Sequence, residues 1–225
     1  MIPINKSFYL TFHGIGQPLH KISDEEKIVW VDEKTFSQFC RFAAENNKIK
    51  ITFDDGNISD YKIAYPILQK HGLSGIFFIL LGNIGKKEYL QKNHIMELSS
   101  NNMKIGLHGR NHVNWSKLNK NDLVDEIITA KKELENMIGK PVEEAACPYG
   151  QYNRNVLTVL KQADYKHVYT SDRGISSELN WLISRNSVRF NDNIEIYKHM
   201  IKAETKFFSM EKCIRFFKKI YKKIR

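Results

Sequence analysis

Two adjacent aspartates, Asp54 and Asp55, are of a type and spacing that could do chemistry. They follow an alternating run at residues 48–53, which predicts a short half-buried strand, and Gly56 comes directly after them. Because like charges this close resist joint ionisation, either a cation must hold them or one must take a proton. A divalent metal on one carboxylate would leave the other free to act as a base. An ordinary turn also explains Asp-Asp-Gly, because both residue types suit turns.

A pair of histidines, His108 and His112, follows a second predicted strand at residues 103–107. Imidazoles four residues apart can face one way on a helical turn or a wide loop, as metal-binding pairs do, although surface histidines share this spacing. Two neutral imidazoles and one strand-end carboxylate make a site of the kind that zinc uses for hydrolysis, with water in an open position.

A third motif, Ala146-Cys147-Pro148-Tyr149-Gly150, follows another short strand. Pro148 fixes the backbone and Gly150 lets it turn, so the Tyr149 amide could be presented rigidly to a developing oxyanion. A plain strand-ending turn explains the same residues.

The elements that must position these motifs alternate regularly along the chain. Strands are predicted at 7–12, 48–53, 74–81, 103–107, 144–147, 167–171 and 181–188, and helices at 33–46, 57–71, 88–101, 119–138 and 153–163. This alternation predicts one parallel sheet or barrel with helices outside. Such folds bind ligands at the carboxyl ends of their strands, where this chain carries its polar residues: His13, Asp54, Asp55, His108, Tyr149 and Asp172.

Composition excludes several classes of protein. With 225 residues and 42% hydrophobic residues, the chain suits one globular domain. Three widely spaced cysteines indicate neither a disulfide framework nor a zinc knuckle. No apolar run reaches the length of a membrane span and no signal peptide is recognisable, so we expect a cytoplasmic protein. The net charge is +10, but +6 falls within residues 211–225, so no nucleic-acid-binding face is expected on the body.

In this order and at strand ends, the three motifs resemble the pattern of the polysaccharide deacetylases (NodB-homology domain, carbohydrate esterase family four). The resemblance spans roughly residues 8–188. It implies a distorted (β/α) barrel of about seven parallel strands and a metal-dependent hydrolase. The reaction it implies is removal of an N-acetyl or similar acyl group from an amino sugar in a glycan, within cell-surface polysaccharide biosynthesis.

The resemblance also implies roles for individual residues. Asp54 would be the general base, and the Tyr149 amide would help form the oxyanion hole. The metal ligands would be Asp55, His108 and His112, with Zn²⁺ favoured over Co²⁺, Ni²⁺ or Fe²⁺. In addition, His13 resembles an N-terminal histidine motif found in some branches of the family.

The chain departs from the family pattern in two places within its motifs. Many members carry an arginine that steadies the base two residues before the motif proline, where this chain has Ala146. We expect Arg185, in the last predicted strand, to replace that arginine. The late Leu-x-His of the family, which supplies a general acid, is not clearly present, and the nearest histidine, His199, has the wrong context.

The proton donor for the leaving amine stays open at this point. One alternative is His13, oriented by Asp172 at a nearby strand end, and the other is Asp54 returning the proton that it has taken. Two other functions also remain open: a non-catalytic carbohydrate-binding protein on the same fold, and a deformylase or other amide hydrolase.

The last residues form a separate unit, so we divide the chain into a catalytic barrel (1–205) and a basic amphipathic C-terminal helix (206–225). Apolar residues recur there at spacings of three and four, and basic residues fill the remainder: Cys213, Ile214, Phe217, Ile220, Tyr221 and Ile224 against Lys212, Arg215, Lys218, Lys219, Lys222 and Lys223. Such a helix either docks its apolar stripe on the barrel or lies on an anionic membrane. The second alternative suits an N-acetylated glycan or a lipid- or nucleotide-linked sugar met at the inner membrane surface.

Overall fold

The computed structural model of the protein describes residues 2–3, 5–19, 21–205 and 210–224. The strands within these residues are β1 (Lys6–Phe12), β2 (Gly14–Ile15), β3 (Trp30–Val31), β4 (Ile49–Phe53), β5 (Gly75–Ile79), β6 (Lys104–Leu107), β7 (Glu144–Ala146), β8 (His167–Thr170), β9 (Ser176–Ser177) and β10 (Leu182–Ser187). The α-helices are α1 (Asp24–Val29), α2 (Glu33–Ala44), α3 (Tyr65–Lys70), α4 (Lys92–Ser100), α5 (Lys120–Val124), α6 (Ala130–Ile138), α7 (Arg154–Gln162), α8 (Ile194–Thr205) and α9 (Met210–Ile224).

Seven parallel strands close into a barrel. Their order is β1, β4, β5, β6, β7, β8 and β10, and β10 pairs back onto β1 with Tyr9 opposite Arg185. The short β9 adds an antiparallel pairing at the amino end of β1. The predicted (β/α) barrel of about seven parallel strands is therefore confirmed.

Local sequence accounts for where the helices begin and end. The side chain of Asp32 accepts a hydrogen bond from the Thr35 amide at the start of α2, and Asn153 caps α7 in the same way. The predicted helix 119–138 is continuous as α5, a π-helical segment at Asp125–Thr129 and α6. It ends at Gly139 in the left-handed conformation.

Several boundaries differ from the prediction. The helix predicted at 57–71 begins at Ile58 and continues as a π-helical segment at Asp60–Ala64, because residues 54–57 form the strand-end turn and an isolated bridge. The helix predicted at 88–101 starts at Lys92, since Tyr89 pairs with Asn57 in an isolated bridge. The two-stranded sheet of β2 and β3 and the helix α8 were not predicted.

The C-terminal helix α9 follows residues 206–209, which lie outside the described residues and contain the predicted boundary after residue 205. That division of the chain stays a prediction. None of the described helices is both long and apolar enough to cross a membrane.

Candidate active site

The carboxyl end of the barrel opens into a cavity of about 670 Å³, large enough for a sugar unit. The lining residues that the sequence singled out are His13, Asp54, Asp55, His108, His112 and Tyr149. Backbone hydrogen bonds continue the barrel ladder into these residues, because the Asp54 amide donates to the Phe12 carbonyl at 3.0 Å and the His108 amide donates to the Ile79 carbonyl at 2.8 Å. The parallel strands thus bring residues distant in sequence to one edge.

Three of these side chains form a cluster that fits a divalent cation. The Oδ1 atom of Asp55 lies 3.6 Å from Nε2 of His108 and 3.5 Å from Nε2 of His112. This oxygen is buried and has no hydrogen-bond partner, which is costly for a carboxylate unless a cation takes the place of the missing donors. The predicted ligand set is therefore brought together, with all three ligand atoms within 4.8 Å of one another.

Backbone geometry and hydrogen bonding prepare this cluster. Both Asp55 (φ 74°) and His112 (φ 53°) adopt left-handed conformations that non-glycine residues rarely take, a strain typical of functional sites. His108 Nδ1 lies 2.9 Å from the Ala146 carbonyl, so it carries the proton and Nε2 offers its lone pair to the cluster.

The pKa values of the cluster residues also favour a bound cation. Burial lowers the pKa of His108 to about 4 and also lowers the pKa of His112, so both imidazoles are neutral and able to ligate at neutral pH. Burial raises the pKa of Asp55 to about 6. A bound cation would reverse that penalty, because it favours the ionised carboxylate.

The second aspartate, Asp54, is held by Arg185. The buried guanidinium binds it in a bidentate manner, with Nη1 2.5 Å from Oδ1 and Nη2 2.8 Å from Oδ2. Burial alone would raise the pKa of Asp54, but the charges of Arg185 and then His108 outweigh burial and hold the pKa well below its usual range. The neighbour predicted for Asp54 is therefore present, supplied by β10 in place of the position at Ala146.

The histidine after β1, His13, faces the same carboxylate, with its Nε2 3.9 Å from Oδ2 of Asp54. Its Nδ1 is buried without a hydrogen-bond partner, so the ring has no fixed orienting group on that side. The prediction that Asp172 orients this imidazole is wrong. Asp172 instead accepts hydrogen bonds from Tyr152, Thr170 and Lys222, because its strand β8 is separated from β1 by β10.

The loop Pro148–Gly150 forms a single 3₁₀ turn, in which Tyr149 is left-handed (φ 57°, ψ 7°). Gly150 has φ 63°, and a Cβ there would lie 2.7 Å from the Ser171 amide nitrogen, so only glycine fits. The exposed Tyr149 ring lies over His112 with centroids 4.4 Å apart. The loop is thus fixed beside the metal-ligand cluster.

Sequence reasoning missed one residue that organises the site, Glu126. This buried glutamate accepts hydrogen bonds from the backbone amides of Arg110 (2.7 Å) and Asn111 (3.1 Å) and from the side-chain amide of Asn111 (3.0 Å). It therefore holds the loop between the two histidines. The Trp115 indole N–H also points to Glu126 at 3.4 Å, and the Trp115 side chain is fully buried in the core.

Cys147 and His199 are not among the reacting groups. Cys147 is buried, and burial raises the pKa of its thiol to about 12, so it serves as a small apolar filler. The predicted exclusion of His199 also holds, because this residue is exposed on α8.

The polysaccharide deacetylase family model matches residues 43–168, more than half of the chain. This chain belongs to the polysaccharide deacetylase family. A Bacillus subtilis (strain 168) protein, YxkH, whose name places it among the polysaccharide deacetylases, is 28% identical over 165 residues, covering 73% of this chain and 56% of its own length. The poly-beta-1,6-N-acetyl-D-glucosamine N-deacetylase of Staphylococcus aureus (strain MRSA252) is 28% identical over 169 residues, covering 65% of this chain and 58% of the relative.

Solved structures show the same barrel. The Streptococcus pyogenes deacetylase PplD in complex with acetate superposes with a TM-score of 0.74 at 24% identity, over 87% of this chain and 98% of that one. IcaB from Ammonifex degensii gives a TM-score of 0.69 at 18% identity, over 82% and 92% of the two chains. The resemblance and the fold inferred from the sequence are therefore confirmed, although this chain spans only a little over half the length of the two curated relatives.

Proposed function

We propose that this protein is a metal-dependent N-deacetylase that hydrolyses the acetamido group of an amino sugar within a glycan. One observation carries the proposal: an ionised aspartate, Asp54, lies in the same cavity as the cluster of Asp55, His108 and His112. A carboxylate base beside a cation site is the arrangement that amide hydrolysis by water requires.

A cation held by Asp55, His108 and His112 would supply Lewis-acid polarisation of the amide carbonyl and would make water more acidic. Two imidazoles and one carboxylate are the ligands that catalytic zinc uses, with an open position for water or substrate. Cobalt, nickel and iron accept the same donor types, so zinc is the first metal to test.

The chain's own residues divide the proton transfers. Asp54 accepts the proton of the attacking water, and Arg185 keeps this carboxylate ionised until then. The amide of Tyr149, on its rigid turn, is the donor assigned to the developing oxyanion. His13, whose Nε2 lies 3.9 Å from Oδ2 of Asp54, is the group assigned to protonate the leaving amine, with Asp54 as the alternative donor.

The lining of the cavity favours a neutral sugar chain as substrate. Glu25 and Glu26 line it together with the aspartates, so a pyrophosphate close to the reacting sugar would meet like charge. The amine that forms becomes a cation, which these carboxylates attract. A polymer or a lipid-linked glycan therefore fits the cavity better than a nucleotide-linked sugar does. The name of the Staphylococcus aureus relative points to β-1,6-linked N-acetylglucosamine.

The test is the release of acetate and free amine from β-1,6-linked N-acetylglucosamine oligomers by the zinc-loaded protein. Asp54→Asn is the matched control, because it keeps the size of the side chain and leaves the ligand cluster intact. We expect this variant to retain zinc, measured by mass spectrometry, and to lose roughly 10²–10⁴-fold in turnover.

Three outcomes would contradict the proposal. Near-normal turnover by Asp54→Asn would remove Asp54 as the base. Faster hydrolysis of N-formyl than of N-acetyl oligomers would favour a deformylase. Tight oligomer binding with no release of acetate at any tested metal would favour a non-catalytic binding protein.

A further inference from the structure

The C-terminal helix α9 contacts the barrel with its basic side chains. Lys222 Nζ donates to the Gly150 carbonyl at 3.0 Å and to Oδ1 of Asp172 at 2.7 Å. Lys219 Nζ donates to the Ser184 hydroxyl at 2.5 Å. An amphipathic helix of a globular domain normally turns its apolar face inward, so this orientation is the reverse of the usual one.

Much of the apolar side of the helix is left in solvent, although Cys213 and Ile220 are half-buried. Four residues at spacings of three and four form what we call the outer stripe: Ile214, Phe217, Tyr221 and Ile224, which are 49%, 68%, 65% and 73% exposed. A contiguous row of exposed apolar residues on one helix marks an interaction surface. The interpretation in which the whole stripe docks on the barrel is therefore wrong for these four residues.

Charge and composition indicate what covers the outer stripe. Lys218 and Lys223, on the same helix, are also exposed, and residues 211–225 carry a net charge of +6. Branched aliphatic residues, aromatic rings and lysines on one short helix are the combination that lies in the interface of an anionic bilayer. A second copy docked through the same helix would bring like charges together, because Glu211 is the single acidic residue among residues 210–224.

We propose that the outer stripe inserts into the surface of an anionic lipid bilayer, with α9 lying parallel to the membrane. The helix would then also fix the position of the catalytic cavity. Lys222 binds Gly150, and the preceding residue, Tyr149, lines that cavity, so the opening would be held next to the lipid surface. This inference concerns binding alone and does not depend on the proposed reaction.

The structure also changes what the lysines contribute. In the membrane alternative drawn from the sequence, all the basic residues of the helix could face lipid, but in the structure Lys219 and Lys222 bind the barrel and Arg215 pairs with Glu204. Electrostatic attraction is left mainly to Lys218 and Lys223. At about fivefold in affinity per exposed lysine, binding should weaken with salt but persist, because insertion of the stripe is not screened.

The experiment is co-sedimentation of the full chain with vesicles of phosphatidylcholine alone or mixed with phosphatidylglycerol. We expect binding to the mixed vesicles, and a loss of roughly tenfold or more in affinity for the double variant Phe217→Ser, Tyr221→Ser. Leu179→Ser is the matched control, because Leu179 is 83% exposed in the turn after β9, near the amino end of β1. This variant should bind like the unmodified protein.

Several results would overturn the proposal. Equal vesicle binding by the unmodified protein and the double variant would exclude the outer stripe, and an equal loss in the Leu179 variant would show that the effect is not specific to α9. The same two rings line a cavity of about 370 Å³ with Gln151 and Asn153. If the double substitution weakens oligosaccharide binding, or abolishes a dimer seen by light scattering, while vesicle binding is absent, the stripe serves a glycan or a second copy instead.

Discussion

Replacing Arg185 by methionine should both inactivate Asp54 as a base and destabilise the barrel, because it removes the counter-charge of Asp54. Methionine fills most of the same space but removes both hydrogen bonds to Asp54 and the permanent positive charge that is bound to it. The carboxylate would then be buried without a counter-charge, an arrangement that costs about 3–5 kcal/mol when one partner of a buried pair is removed.

The cost of burying this carboxylate without a counter-charge has an upper limit, because the carboxyl group becomes neutral when it takes up a proton. With Arg185 present, the depressed pKa of Asp54 contributes stability above the ordinary aspartate pKa of about 3.9, and this contribution is lost as the pH falls through the folded-state pKa. Without Arg185, burial dominates and raises the pKa, so Asp54 takes up a proton and cannot act as a base. We therefore expect turnover to fall by roughly 10²-fold or more.

The assay is a double-mutant cycle of Arg185→Met, Asp54→Asn and the double variant, unfolded in urea with a chelator present at pH 7 and at pH 3.5. We expect a coupling energy of about 3 kcal/mol at pH 7, a smaller value at pH 3.5, and a double variant more stable than Arg185→Met alone. Arg185→Lys should be intermediate, because lysine keeps the charge but not the bidentate geometry. A coupling energy near zero, or wild-type turnover by Arg185→Met, would refute the reasoning.

The other predictions concern the groups around this pair. Chelation should abolish activity, and His112→Ala should lose the metal, whereas full activity of a metal-free preparation would contradict the assignment. His13→Ala should slow hydrolysis of N-acetyl sugars far more than that of 4-nitrophenyl acetate, whose leaving group needs no proton; equal effects on both would exclude His13 as the acid. Glu126→Gln should weaken zinc binding roughly 10–100-fold, measured by competition with a chelating dye, through the loop that it holds; an unchanged affinity would leave it a purely structural role. A thiol reagent at pH 8 should label the half-buried Cys213 in the native protein but not Cys147, whose pKa is raised to about 12 by burial; rapid labelling of Cys147 would contradict its role as a filler.

Strand period and strand-end chemistry are local signals, so the sequence predicted a parallel sheet or barrel with polar residues at its carboxyl edge. The family resemblance then favoured the barrel. The role of Arg185 was expected from the family resemblance, because many members carry an arginine at the position that Ala146 occupies here. Glu126 could not be inferred, because a glutamate in a predicted helix looks like a surface residue, and only the packing shows that it faces the loop between the histidines.

Two further misses have physical causes. Asp172 was assigned to His13 because both follow strands, but sharing an edge does not make two residues neighbours when a third strand lies between theirs. Which face of α9 contacts the barrel could not be predicted either, because periodicity identifies the two faces of a helix but not which of them has partners. Here Gly150, Asp172 and Ser184 offer oxygen atoms that attract the lysines inward.

The pairing of Asp54 with Arg185 ties the active site to the order in which the chain is completed. The two residues are 131 positions apart, and the stretch that matches the family model, residues 43–168, contains the first and not the second. A nascent chain that has finished β4 to β8 therefore already carries the metal ligands, yet Asp54 still lacks its counter-ion. Only when β10 docks against β1 does the guanidinium arrive. We therefore expect the proposed activity to be acquired with the last strand of the barrel, so that the appearance of activity during refolding would report closure of the barrel rather than collapse of its core.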